Sequence, residues 1–72
     1  MKTGTLKLSG ELFCISDIIS AKNVFSDFAL IRVQENGGYY TLTFSECRYS
    51  IEETIKEFDN YVISLSAQQM KL

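Results

Sequence analysis

Chemistry in this 72-residue chain could rest on Cys14 and Cys47, on the adjacent carboxylates Glu52 and Glu53, or on the glycine pair Gly37-Gly38. None of these assembles into a catalytic set. Histidine is absent, which removes the commonest general base and the commonest metal ligand. Two cysteines without histidine make a poor zinc site. They are also too few and too far apart for a metal motif or a disulfide framework, so both are expected as free thiols in a reducing compartment. A helix N-terminus favours the thiolate of a cysteine placed there, which makes Cys14 the one candidate for a reactive thiol. The plainer reading of Cys14 is a small buried cap residue. Glu52-Glu53 is explained by helix capping and the helix dipole rather than by acid–base work. Gly37-Gly38 lacks the spacing and the following helix of a phosphate loop, and a hairpin turn accounts for it. The expectation is a non-enzyme with no metal and no cofactor.

What the chain offers instead is a surface for contact, with Leu30, Arg32, Tyr39 and Thr41 as the candidate partner-binding residues. Aromatic residues and arginine are the side chains that most often anchor interfaces. The stretch that must position them is Ala29–Ser45, which reads as two strands joined by Asn36-Gly37, a strong hairpin signal. With Asn36 and Gly37 as the loop of a type I′ turn, Val33 faces Tyr40, Ile31 faces Leu42 and Ala29 faces Phe44. All six share one face, because side chains alternate along a strand. The other face then carries Arg32 opposite Thr41, Gln34 opposite Tyr39, and Leu30 opposite Thr43. This register places Tyr39 and Arg32 diagonally across the hairpin. A one-residue slip would turn the apolar set toward water.

The rest of the chain must cover the apolar face. Thr5-Leu6-Lys7-Leu8-Ser9 alternates as a half-buried strand does, and Gly10 breaks it. A first helix is predicted from about Ile15 to Asp27, with Cys14 at the N-cap and Asp17 offering its carboxylate to the first turn. Ile15, Ile18, Ala21, Phe25 and Phe28 follow spacings of three and four and form its core stripe. Ile19 points to the polar side as a scattered surface hydrophobe. After the hairpin, Glu46-Cys47-Arg48-Tyr49 reads as a connection. Ser50-Ile51-Glu52-Glu53 is a capping box in which the serine caps and Glu53 reaches back. Ile51, Ile55, Phe58, Val62 and Leu65 form the stripe of a second helix, flanked by Tyr61. Glu52 and Lys56 are an i,i+4 pair in the favourable order. The signal fades near Ala67-Gln68-Gln69, and the last few residues are expected to fray.

The predicted order is therefore β-α-β-β-α, a single α+β domain over residues 1–72. It is a two-layer sandwich with two helices on one face of a small sheet. The strand of Tyr39–Phe44 has no charge and no interior glycine, whereas the strands on either side carry Lys7 and Arg32, as edge strands do. This predicts an antiparallel sheet in spatial order 1-3-2, with a right-handed crossover through the first helix. The alternative has the second strand central and the first parallel to it.

Composition narrows the function classes. The chain is 46% hydrophobic, the fraction of an ordinary globular domain rather than a disordered one. The net charge is −2 with nothing basic clustered, which argues against nucleic acid as a partner. No apolar run approaches the roughly 18 residues a membrane span needs. Met1–Lys7 has no apolar stretch of the secretory kind, so a cytoplasmic location is expected.

One resemblance adds to this reading. The run Leu12-Phe13-Cys14-Ile15-Ser16-Asp17-Ile18-Ile19-Ser20-Ala21, followed by Phe25-Ser26-Asp27, resembles the opening of the small HxsD proteins of His-Xaa-Ser systems. Those proteins begin leucine–aromatic–Ser–aliphatic, continue with a helix containing Ile and Ala, and reach Phe-Ser-Asp before the next strand. The likeness spans about residues 6 to 35 and thins over the last helix, where only Phe58-Asp59-Asn60-Tyr61 is similar. Cys14 stands where that pattern has serine. The resemblance implies an accessory protein beside radical-SAM-type peptide-modifying enzymes, with no catalytic residues to carry over. Two functional expectations result: a small interaction module for a protein or peptide partner, or a self-associating subunit, most simply a homodimer. A third, an enzyme using Cys14, is the least supported.

Overall fold

A computed structural model describes residues 2–69. The elements are β1 (Gly4–Ser9), α1 (Ile15–Val24), β2 (Leu30–Asn36), β3 (Tyr39–Ser45) and α2 (Ile51–Gln69). The sheet runs β1-β3-β2, with both pairings antiparallel. The uncharged strand is central and the charged strands are the edges, and the arrangement with β2 central is not adopted. Both helices cover one face, giving the two-layer α+β sandwich. The fraying expected of the last few residues falls largely outside the described residues; α2 itself continues through Gln69.

The hairpin keeps its expected faces but not its expected register. Val33 lies opposite Leu42, Ile31 opposite Phe44 and Arg32 opposite Thr43, a shift of two residues. The loop is Gly37-Gly38, and Asn36 is the last residue of β2, paired with Tyr39. A shift of two leaves every side chain on its own face, because the strand period is two, and changes only its neighbours. The physical reason is the glycine pair. A type I′ turn needs positive φ at both loop positions, and Gly37 and Gly38 supply 54° and 88° without the steric cost that asparagine would incur. β1 reinforces this choice, since the Gly10 N–H donates to the Gly38 carbonyl at 2.7 Å.

The core draws on every element. Leu8, Ile31, Leu42 and Phe44 come from the sheet, Ile18 and Ala21 from α1, Phe58 and Val62 from α2, and Ala29 from the segment before β2. An aromatic column ties the layers together. Phe44 meets Phe58 edge-on at 5.2 Å between centroids, and Phe58 meets Phe25 at 5.3 Å. Each such pair contributes about 0.5–1.5 kcal/mol beyond its burial.

α1 is shorter than expected, ending at Val24 instead of Asp27. The Asn23 carbonyl, which would accept from Asp27 in a continuing helix, accepts instead from the Ser26 N–H (3.3 Å) and the Ser26 hydroxyl (2.8 Å). Serine competes with the helix in this way by bonding locally to the backbone. Phe25 then accepts from the N–H groups of Phe28 and Ala29 (2.9 and 3.1 Å), which turns the chain toward β2. Ile18 and Ala21 are fully buried, but Ile15 is 43% exposed, contrary to its place in the predicted stripe. Steps of three fall short of a helical turn by about 60°, so Ile15 lies about 120° around the axis from Ala21.

α2 starts where the capping box predicts. The Glu53 N–H donates to the Ser50 hydroxyl at 3.4 Å. The Glu53 carboxylate makes no return bond to the Ser50 N–H, and Glu52 and Lys56 form no ion pair within 4.0 Å. Thr54, unremarked in the sequence, is buried, and its hydroxyl donates to the Ser50 carbonyl at 2.9 Å.

Candidate functional site

The outer face of the sheet is left uncovered by the helices. Its side chains fall in rows set by the register: Thr5, Thr43 and Arg32; then Lys7, Thr41 and Gln34; then Ser9, Tyr39 and Asn36. Leu30 and Tyr39 are 46% and 45% exposed, Arg32 is exposed, and Thr41 is half-buried between its neighbours on the central strand. All four candidate residues thus lie on this face.

The register decides which of them meet. Arg32 stands opposite Thr43, four positions along β3 from Tyr39, a separation of about 13 Å. Leu30 stands opposite Ser45, six positions away, or about 20 Å. The diagonal contact of Tyr39 with Arg32 expected from the Asn36-Gly37 loop therefore does not form. The candidates separate into Leu30 with Arg32 at one end and Tyr39 with Thr41 at the other. Tyr39 takes a different cation, the Lys7 amine, which lies 4.5 Å from its ring centroid. The strand order places β1 beside β3, but the pair depends on the register between them, in which Lys7 lies opposite Thr41 and so diagonal to Tyr39, and no local motif encodes that register.

The two thiols are apart in role as well as sequence. Cys14 is the N-cap of α1, with extended φ and ψ of −88° and 140°, and it makes no side-chain capping bond. It is exposed rather than buried, which corrects the buried-cap reading. A thiol is a weak acceptor, so no bond draws its side chain over the helix end. Asp17, in the first turn, is the buried polar residue there, at 6% exposure. Cys47 is half-buried and rests against the core.

A second concavity lies on the helix layer, where the chain after α1 meets the first turns of α2. It is an open groove of about 340 Å³, lined by Phe25, Phe28, Tyr49, Glu53, Thr54 and Glu57. The Arg48 N–H donates to the Phe28 carbonyl at 2.8 Å, which holds Tyr49 beside Phe28, their centroids 6.1 Å apart and their planes tilted by 39°. Phe25 and Phe28 stood in the predicted stripe of the first helix and Glu53 in the capping box; the spacing of four between Glu53 and Glu57 is the signal that could have marked the rim. Tyr49 read only as part of a connection.

Among the described residues no helix is long and apolar enough to cross a membrane, and no group of three or more Cys, Asp or Glu side chains could hold a metal ion. The fold defines a small α+β domain of strand–helix–strand–strand–helix order. No protein-family model, no curated protein and no solved structure matches this chain.

Proposed function

We propose that this chain is a small, non-catalytic interaction protein that binds a protein or peptide partner through the outer face of its sheet. The observation that carries the reading is that this face is open and amphipathic: Leu30 and Tyr39 are each nearly half exposed, Arg32 is exposed, and threonines lie between them. Antiparallel sheets commonly leave one face in water, but aromatic, aliphatic and arginine side chains on it are what interfaces use. β2 is also an edge strand, and an edge offers backbone groups to an added strand. The resemblance of residues 12–27 to HxsD proteins supports a partner in a cytoplasmic peptide-modification system. The absence of histidine supports the non-enzyme reading. Capture of partners from the native host on the wild-type chain, followed by chemical-shift mapping, tests it. Shifts across Leu30, Arg32, Tyr39 and Thr41 are expected; shifts confined to the outer sides of the helices, near Ile19 or Ile63, move the site off the sheet.

A homodimer is the second reading, and a specific observation favours it. Ile15 and Ile19 are exposed one turn apart on α1, and Leu12, just before the helix, is exposed as well. A solution mass of twice 8.2 kDa at low micromolar concentration would select this reading.

A further inference from the structure

We propose that the groove walled by Phe25, Phe28 and Tyr49 and rimmed by Glu53 and Glu57 receives a cationic side chain, arginine or lysine, from a basic peptide. The groove lies on the helix layer, across the molecule from the outer sheet face, and stands whether or not that face binds anything.

The walls are aromatic. Phe28 lies 6.2 Å from Phe25, edge-on, and 6.1 Å from Tyr49. Tyr49 is 63% exposed, so its ring is accessible to a partner. Ring faces attract ammonium and guanidinium groups through their quadrupole. The rim is anionic. Glu53 and Glu57 are exposed and one turn apart on the same side of α2, and like charges at that spacing repel. The helix dipole offsets Glu53, which lies in the first turn, but the effect fades beyond that turn and leaves Glu57 uncompensated. Neither carboxylate is ion-paired with another described residue. The Thr54 hydroxyl at the same site is already committed to the Ser50 carbonyl. The lining thus presents two free carboxylate acceptors and three aromatic rings, the complement of a side chain that only donates and carries positive charge. The net charge of −2 draws in the same kind of partner.

The test is a titration of the isotope-labelled full chain with the blocked peptide Gly-Arg-Gly and, separately, Gly-Gln-Gly. Amide shifts centred on Phe28, Tyr49, Glu53 and Glu57 are expected with the arginine peptide, diminishing as salt is raised. The Glu53→Gln/Glu57→Gln variant and Tyr49→Ala should each weaken binding about fivefold, the scale of an exposed cation–π or ion-pair contact. Tyr49→Phe keeps the wall and should bind as wild type, and Tyr39→Ala on the sheet should change nothing. Equal shifts with the glutamine peptide, shifts on the sheet face, or shifts at Phe28, Tyr49, Glu53 and Glu57 that grow with protein concentration in the absence of peptide would overturn the proposal. The last of these would assign the groove to a second copy of the chain.

Discussion

Gly10 and Gly38 meet backbone to backbone. The Gly10 N–H donates to the Gly38 carbonyl at 2.7 Å, and a Cβ built on Gly10 would stand 2.7 Å from that same oxygen. The end of β1 is thereby locked to the hairpin loop. Gly10→Ala is expected to lower stability by about 1–3 kcal/mol, since the atom in the way is backbone and cannot swing aside. Gly37→Ala meets no atom within 4 Å and should cost only the strain of positive φ, about 1–2 kcal/mol. Urea midpoints of the two variants compare these costs directly; Gly10→Ala at the wild-type midpoint would show that the contact relaxes freely.

The separation of Arg32 from Tyr39 makes a prediction about coupling. Groups this far apart with no shared partner act independently. Arg32→Ala and Tyr39→Ala should therefore add, within about 0.5 kcal/mol, in any double-mutant cycle on partner binding. Both should perturb folding far less than Ile31→Ala, which empties a core position at 2% exposure and should cost about 2–5 kcal/mol. A coupling well above that margin would mean that the hairpin pairs in the other register.

Ser50 supplies an acceptor to the first turn of α2. Ser50→Ala should destabilise by about 1 kcal/mol, toward the lower side given the 3.4 Å bond. Ser64, exposed on the same helix, is the control, and Ser64→Ala should leave the midpoint unchanged. Identical denaturation curves for Ser50→Ala and wild type would remove the serine from the cap.

Thiol labelling distinguishes the cysteines by access. Cys14 is exposed and Cys47 is half-buried against the core, so a thiol reagent should modify Cys14 first in the native state. In denaturant the two rates should converge. Mass mapping of partly labelled protein reads the order, and native labelling of Cys47 ahead of Cys14 contradicts it.

Glu46 follows β3 with a positive φ of 50°, a region that costs residues with a Cβ about 1–2 kcal/mol. Glu46→Gly should be neutral or slightly stabilising, because relief of strain is offset by the greater freedom of glycine when unfolded. Glu46→Val should destabilise, since β-branched residues tolerate this conformation least. Thermal unfolding of the pair tests the sign; a loss of stability in Glu46→Gly would mean that the glutamate side chain itself contributes.

The order of elements, their type, the strand order and the face of each strand residue were all legible in the amino-acid sequence. These follow from local rules: alternation along strands, spacings of three and four along helices, a serine at the start of α2, and charges on Lys7 and Arg32 that suit edges better than a centre. Ile31, Val33, Leu42 and Phe44 turn inward in either hairpin register, so their burial needed no tertiary information. The register itself did. Asn36-Gly37 and Gly37-Gly38 are both good type I′ loops, and their registers differ by two residues, the period at which the apolar pattern repeats and so carries no signal. The choice falls to the glycine pair at φ of 54° and 88°, and to the bond from Gly10, just past a strand distant in sequence. The same kind of long-range pairing sets Lys7 over Tyr39 and brings Tyr49 to Phe28. Contacts between segments far apart along the chain depend on how the layers dock, and only the tertiary structure decides that.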